Sequence, residues 1–252
     1  MRNIESPKIG IAGITGRLGS LCAEEAGPHL VGGLSRHADP SRSIVSTPSL
    51  LASKCDVIID VSHASLVTAH AKAFAQAGCA WVLGTTGLDQ QAQDAIAEAS
   101  KKIAILQAAN FSPALTMLLD LAQQLAASLP DYDAEILETH HRQKLDAPSG
   151  TALAIGRAVA NGRQVDFDSV KRLDQNGKRP DGAIGFASLR GGQVIGEHDL
   201  RFLTSDEEIT LSHKALDRRV FARGALQAAF WLANHKPAGL YTMSDVVKKN
   251  TA

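Results

Sequence analysis

The stretch Glu138 to Ala152 reads Glu-Thr-His-His-Arg-Gln-Lys-Leu-Asp-Ala-Pro-Ser-Gly-Thr-Ala and gathers ionisable side chains as nothing else in the chain does. Two imidazoles, His140 and His141, stand beside the Lys144 amine, groups whose charge depends on their surroundings. The preceding Ala134-Glu135-Ile136-Leu137 predicts a strand running into the cluster. Residues two apart on a strand share a face. Glu138, His140, Arg142 and Lys144 would then line one side, and Thr139 and His141 the other. Pro148 and Gly150 end the strand before long. Ser149 or Thr151 then caps a helix through Ala152, Leu153, Ala154 and Ile155. Cations leading into free helix N–H groups favour an anion, which suits a small substrate carrying carboxylates. The same residues also fit a polar edge strand before a capped helix. A zinc site ranks low, because adjacent strand residues face opposite ways and no Cys lies nearby.

A second motif stands near the start. Lys8-Ile9-Gly10-Ile11-Ala12 is a short apolar run that reads as a strand, and Ser20 to Ala26 reads as a helix. Between them lies Gly13-Ile14-Thr15-Gly16-Arg17-Leu18-Gly19, a G-x-x-G-x-x-G form of the dinucleotide turn. Its glycines allow a tight turn, close approach of backbone to a pyrophosphate, and close helix–strand packing. A second strand fits Leu30 to Ser35. Its end is where an acid usually meets the ribose hydroxyls of NAD; here Ser35 is followed by Arg36 and His37. With no acid to repel a 2′-phosphate and Arg36 able to pair with it, the expectation is NADPH in preference to NADH.

The elements around these motifs follow from periodicity. Val57 to Val61, Ala80 to Leu83 and Ile103 to Gln107 read as buried parallel strands, alternating with helices over Ser65 to Ala77 and Asp89 to Lys101. Small residues follow two of these strands, Gly84-Thr85-Thr86-Gly87 and Ala108-Ala109-Asn110-Phe111-Ser112. Such alternation predicts a Rossmann-like, doubly wound parallel α/β sheet. A helix from Pro113 to Ser128 leads to a second, α+β domain. That domain is predicted to hold a strand over Tyr132 to His141, a helix over Thr151 to Asn161, and a mobile loop over Asp174 to Gly182. Its remaining strands are Ile184 to Arg190, Val194 to Leu203 and Glu208 to His213, forming an antiparallel or mixed sheet. Gly191-Gly192 reads as a hairpin joining the first two of these, and Ser205-Asp206 turns the second into the third. A last helix, Arg218 to His235, carries Val220, Phe221, Leu226, Phe230 and Trp231 and is expected to pack on the first domain. The tail at Lys248, Lys249 and Asn250 is expected to fray. The predicted domains are residues 1–112 with 218–252, and 113–217.

Composition narrows the function classes. The 252 residues are 44% hydrophobic, with 26 Lys and Arg against 26 Asp and Glu. That supports a packed core and excludes nucleic-acid binding by bulk positive charge. Cys22, Cys55 and Cys79 are odd in number and not closely paired, which fits a reducing, cytoplasmic setting. Met1 to Glu5 is polar and no run approaches the roughly 18 apolar residues of a membrane span, so neither a leader nor a membrane partner is expected.

Taken together, these motifs resemble the 4-hydroxy-tetrahydrodipicolinate reductase (dihydrodipicolinate reductase) family over essentially the whole chain. The glycine turn, Gly84-Thr85-Thr86-Gly87, Ala108 to Ser112, Glu138 to Lys144 with Asp146 to Ala152, Arg190-Gly191-Gly192 and Gly196-Glu197-His198 carry the likeness. The resemblance implies a nicotinamide-dependent reductase, a homotetramer built through the second domain's sheet, acting on a small cyclic dicarboxylate in lysine biosynthesis. Water is lost, hydride adds at C4 of the ring, and the neighbouring carbon is protonated. It further implies His140 and Lys144 as the acid/base pair, and His141, Lys144, Gly150 and Thr151 as substrate contacts. Gly13, Ile14, Thr15, Gly16, Arg17 and Leu18 would hold the cofactor with Ser35, Arg36, Gly84, Thr85, Thr86, Ala108, Ala109, Asn110 and Phe111. No metal is implied. Ser35 departs from the acid that many members carry. A semialdehyde dehydrogenase of similar plan needs a catalytic-domain Cys, and all three Cys precede residue 80. A non-catalytic NADPH sensor would not need the clustered His, His and Lys.

Overall fold

The computed structural model describes residues 6–234 and 237–248. The chain divides into two compact units, Met1–Pro113 with Arg218–Ala252, and Ala114–Asp217. The first unit begins with β1 (Ile9–Ala12), α1 (Arg17–Ala26), β2 (Leu30–Leu34), β3 (Ile44–Val45), α2 (Pro48–Ala52) and β4 (Val57–Asp60). It continues through α3 (Val67–Ala77), β5 (Ala80–Leu83), α4 (Gln90–Ser100) and β6 (Ala104–Gln107). Then come α5 (Pro113–Ser128), β7 (Asp133–His140), α6 (Gly150–Arg163), α7 (Phe167–Val170), β8 (Lys171–Arg172), β9 (Ile184–Arg190), β10 (Glu197–Leu203) and β11 (Glu208–Lys214). The chain returns to the first unit with α8 (Arg219–Ala233), β12 (Gly239–Tyr241) and α9 (Met243–Lys248). His235, where the last helix was predicted to end, and Lys249 and Asn250 of the tail lie outside the described residues; Lys248 closes α9.

The first unit is a seven-stranded sheet in the order β12-β6-β5-β4-β1-β2-β3, with each strand parallel to its neighbours. Period-two alternation feeds both faces. Val57, Ile59 and Val82 enter one core with α8, while Ile58, Trp81 and Leu83 enter the other with Phe74 and Ile96. Asp89 caps α4 by accepting a hydrogen bond from the Ala92 N–H at 2.8 Å, and Gly78 at φ 67° ends α3. The order reverses direction at β1 and β4, and ligands of such sheets lie beyond the strand C-termini at that point. The predicted α/β class is therefore the observed one.

The second unit holds a mixed five-stranded sheet, β11-β10-β7-β9-β8. β7 pairs antiparallel with β10 and parallel with β9. This overturns the predicted Gly191-Gly192 hairpin, since β9 and β10 never meet and β7 runs between them. The diglycine instead sits at the end of β7, where Gly191 N–H donates to His140 O at 2.9 Å and Arg142 N–H to Gly192 O at 3.4 Å. Turn chemistry is local, whereas β7 is held by hydrogen bonds along both its edges, and the tertiary pairing wins. β10 also starts at Glu197, three residues after the predicted Val194. The loop over 174–182 is tied to the sheet, because Arg179 reaches Asp133 Oδ1 at 2.7 Å and Glu135 Oε1 at 2.8 Å. α5 and α6 cover one sheet face, packing on Ala134, Ile136, Phe186, Leu200 and Phe202.

Candidate active site

β7 places Ala134, Ile136, Glu138 and His140 on its buried face. The last two of these are ionisable, and Glu138 is only 1% exposed. A buried carboxylate is tolerated when every lone pair is satisfied. Glu138 Oε1 accepts from Arg190 Nη2 at 2.7 Å and from Ser149 N–H at 3.2 Å. Its Oε2 meets Arg190 Nη1 at 2.9 Å and His140 Nδ1 at 2.5 Å. Burial alone would raise the Glu138 pKa, but hydrogen bonds from Arg190, Ser188 and His140 outweigh it and leave the group at about 2. Burial holds His140 below the usual imidazole range, opposed by Glu138 and reinforced by the charges of Lys144 and Arg190.

Strand geometry stops at His140, so Arg142 and Lys144 do not share the strand face expected for them. The chain turns there, with Lys144 N–H donating to His141 O at 3.1 Å. The turn begins directly after His140, well before Pro148 and the α6 cap. Lys144 Nζ is held by both Asp146 carboxylate oxygens, at 2.8 and 2.9 Å. His141 is half-buried and its Nδ1 has no hydrogen-bond partner among the described residues. Ser149, not Thr151, caps α6, accepting from Ala152 N–H at 3.1 Å. Gly150 and Thr151 form the first turn of α6, so their N–H groups lack intrahelical partners.

The network contains residues that the motif reading did not assign. Arg190 joins Glu138 to the Asp146 carbonyl oxygen at 2.9 Å. His198, 4% exposed, lies with its ring 5.1 Å from that of His140 and its Nε2 3.0 Å from Ser149 Oγ. Burial first, then the neighbouring His140, pushes His198 down to about 4. Period-two spacing exposed the Glu138–His140 pairing, but nothing local in the sequence pairs residue 138 with residue 190. Among the described residues no group of three or more His, Cys, Asp or Glu could hold a metal ion.

In the first unit the glycine turn joins β1 to α1 with no room for a side chain at two of its glycines. Gly13 has φ +80°, and a Cβ there would lie 2.8 Å from Val61 O. A Cβ on Gly19 would lie 2.1 Å from Gly13 O, so α1 can approach β1 only without one. Gly13, Thr15, Gly16, Ser35 and Arg36 line one cavity of about 820 Å³, joined by the unassigned His37, Ser62 and His63. Thr15 Oγ1 and Ser35 Oγ are 3.3 Å apart. Asp60 fixes the turn opposite, accepting from Ser62 Oγ at 2.6 Å and facing His70 Nδ1 at 2.7 Å. A polar turn after a parallel strand was the available signal for Ser62 and His63.

The other predicted cofactor residues sit elsewhere in this unit. Ile14 is buried, and a Cβ on Gly33 would strike it at 2.6 Å. Arg17 and Leu18 begin α1. Gly84, Thr85 and Thr86 follow β5, while Ala108, Ala109, Asn110 and Phe111 follow β6, its neighbour. The Phe111 ring is core, 2.4 Å from where a Gly84 Cβ would stand. Thr85 Oγ1 is buried without a hydrogen-bond partner among the described residues, an acceptor and donor free for a ligand. The cavity, the glycines and this orphaned hydroxyl fit a dinucleotide. The cysteines do not offer a nucleophile, since burial pushes the Cys22 and Cys55 thiols up to about 12.

Comparison with known proteins bears on both units. The profile described as dihydrodipicolinate reductase, N-terminus, matches residues 7–111, and dihydrodipicolinate reductase, C-terminus, matches residues 114–247. A 4-hydroxy-tetrahydrodipicolinate reductase of Gluconobacter oxydans is 74% identical over 99% of this chain and 100% of its own. That of Gluconacetobacter diazotrophicus is 51% identical over 95% and 96%. Among solved structures, dipicolinate-bound dihydrodipicolinate reductase from Paenisporosarcina sp. TG-14 superposes with TM-score 0.75 and 25% identity, over 93% of this chain and 96% of that one. Myo-inositol 2-dehydrogenase from Lactobacillus plantarum, at TM-score 0.60 and 12% identity over 97% and 94%, shares the fold alone. With both halves matched and a relative this similar along its whole length, the chain belongs to the dihydrodipicolinate reductase family.

Proposed function

We propose that this protein reduces 4-hydroxy-tetrahydrodipicolinate to tetrahydrodipicolinate with a reduced nicotinamide cofactor, in lysine and diaminopimelate biosynthesis. The observation that carries this reading is full-length similarity to named 4-hydroxy-tetrahydrodipicolinate reductases in a chain with a buried His–carboxylate pair and a dinucleotide turn. Residues 1–112 with 218–252 bind the dinucleotide, and residues 113–217 bind substrate and build a homotetramer. The cofactor, when bound, supplies hydride. It is held by Gly13 to Leu18, Ser35, Gly84 to Thr86 and Ala108 to Phe111. Arg36 meets the 2′-phosphate and favours NADPH over NADH, because among the described residues no carboxylate lines the cavity beside it.

Hydride addition to the conjugated ring drives electrons toward the ring nitrogen and a carboxylate, so charge must be stabilised and a proton supplied. His140 and Lys144 form the acid/base pair. His141, the Lys144 ammonium and the Gly150 and Thr151 N–H groups hold the substrate carboxylates. The dianionic substrate raises the depressed pKa of His140 and loads it with the proton it delivers. No helix among the described residues is long and apolar enough to cross a membrane. The test follows NADPH absorbance with substrate generated in situ by the preceding synthase. Oxidation of NADPH only when that synthase and its substrates are present is the expected result. No oxidation at any enzyme concentration contradicts the reading.

A further inference from the structure

We propose that Glu138, clamped by Arg190, is a positioning residue that fixes the tautomer of His140, while Gly196 keeps the opposite ring nitrogen open. This rests on the reading of His140 as an acid/base residue. Glu138 and His140 stand two apart on one face of β7, and the buried carboxylate is held by Arg190 through both guanidinium nitrogens, by Ser149 N–H and by Ser188, and it meets His140 Nδ1. An ionised carboxylate accepts hydrogen bonds and donates none. Glu138 stays ionised, so the His140 Nδ1 that faces it carries the proton. In the neutral ring Nε2 then bears the lone pair, and only Nε2 gains and loses a proton during turnover.

The surroundings of Nε2 agree. A Cβ on Gly196 would stand 2.9 Å from it and 3.4 Å from Cδ2, closer than a side chain tolerates without displacing the imidazole. Other groups facing the ring are His198 on β10, Arg190 on β9, and Lys144 with its partner Asp146 on the turn; His213 on β11 lies beyond His198. Arg190 does more than hold Glu138. Its Nη2 also donates to Asp146 O, and Asp146 holds Lys144. One continuous chain of contacts, His140–Glu138–Arg190–Asp146–Lys144, therefore sets both members of the acid/base pair. Orientation of a reacting histidine by a buried carboxylate recurs on unrelated folds, and its loss reduces turnover with little change in architecture.

The experiment is ¹⁵N NMR of histidine-labelled enzyme, with His140 assigned from the spectrum of His140→Ala, alongside steady-state kinetics. Wild-type His140 should appear in its neutral form as the Nδ1–H tautomer. Glu138→Gln should lose that preference and lower kcat on the order of 10²-fold, the scale of one acid–base group, with KM for NADPH unchanged. The limb of the pH profile owed to His140 should move to lower pH, since the lost carboxylate had favoured the charged ring. Gly196→Ala should lower kcat while keeping the Nδ1–H tautomer. An Nε2–H tautomer in the wild-type protein overturns the proposal even if Glu138→Gln fails to fold. So does a Glu138→Gln enzyme with wild-type tautomer, kcat and pH profile. Full turnover by His140→Ala would instead overturn the underlying reading of His140, with the tautomer result still judging the Glu138 pairing.

Discussion

The Glu138 carboxylate links stability to pH. Its ordinary pKa of 4.5 falls to about 2 in the fold, so the folded state holds this proton less tightly than the unfolded one. Its stabilisation is fully present above pH 4.5 and is lost as pH falls through the window from 4.5 to 2. The shift corresponds to on the order of 3 kcal/mol. Denaturant titrations between pH 5 and 3 should show wild-type stability falling more steeply than that of Glu138→Gln; equal slopes would contradict the assignment. A second expectation concerns His140. Its depressed pKa governs the limb of kcat/KM, which reports free enzyme, while a bound dianion raises the limb of kcat. The kcat limb should therefore lie at higher pH, and coincident limbs would count against proton delivery by His140. Arg36→Ala should weaken NADPH more than NADH by on the order of 1–3 kcal/mol, measured by cofactor titration. Much of this residue-scale detail was legible in sequence, because Glu138 and His140 share a strand face by spacing alone. Arg190 was not, since its pairing arises only from the register that sets it opposite His140.

At the scale of elements, close approach is set by glycine. Gly19→Ala would force a Cβ to 2.1 Å from Gly13 O, pushing α1 off β1 and distorting the turn. Overpacking of this kind destabilises by about 1–3 kcal/mol. The expected result is a lowered melting temperature with weakened NADPH binding; unchanged affinity would separate the turn from the cofactor. The parallel strands, four or five residues long, and their helices were legible because each strand is a mostly apolar run next to a segment of helical pattern. β3 and β8 have two residues each and present no period to read. The misread hairpin has a different origin. Gly191-Gly192 has the local chemistry of a turn, but which strand pairs with which is decided by β7, distant in sequence and bonded on both edges. Lys144 does not lie on the strand, because the chain turns directly after His140, with Lys144 N–H bonded to His141 O.

At the scale of the molecule, the chain is two units whose sheets differ in kind. In the second unit the helices cover one face of the sheet, while Leu189 on the other is 54% exposed. In the homotetramer proposed above, this sheet face is the one expected to be buried. Light scattering should give about four times the 26.6 kDa chain mass, and Leu189→Asp should reduce it; a wild-type monomer would contradict the assembly. The central claim is that His140 and Lys144 supply the proton for nicotinamide-dependent reduction. Its most direct test is turnover by the His140→Ala/Lys144→Ala double variant, with NADPH binding measured on the same preparation. The account predicts intact NADPH binding and kcat reduced by on the order of 10³-fold or more. Turnover at the wild-type rate would contradict it.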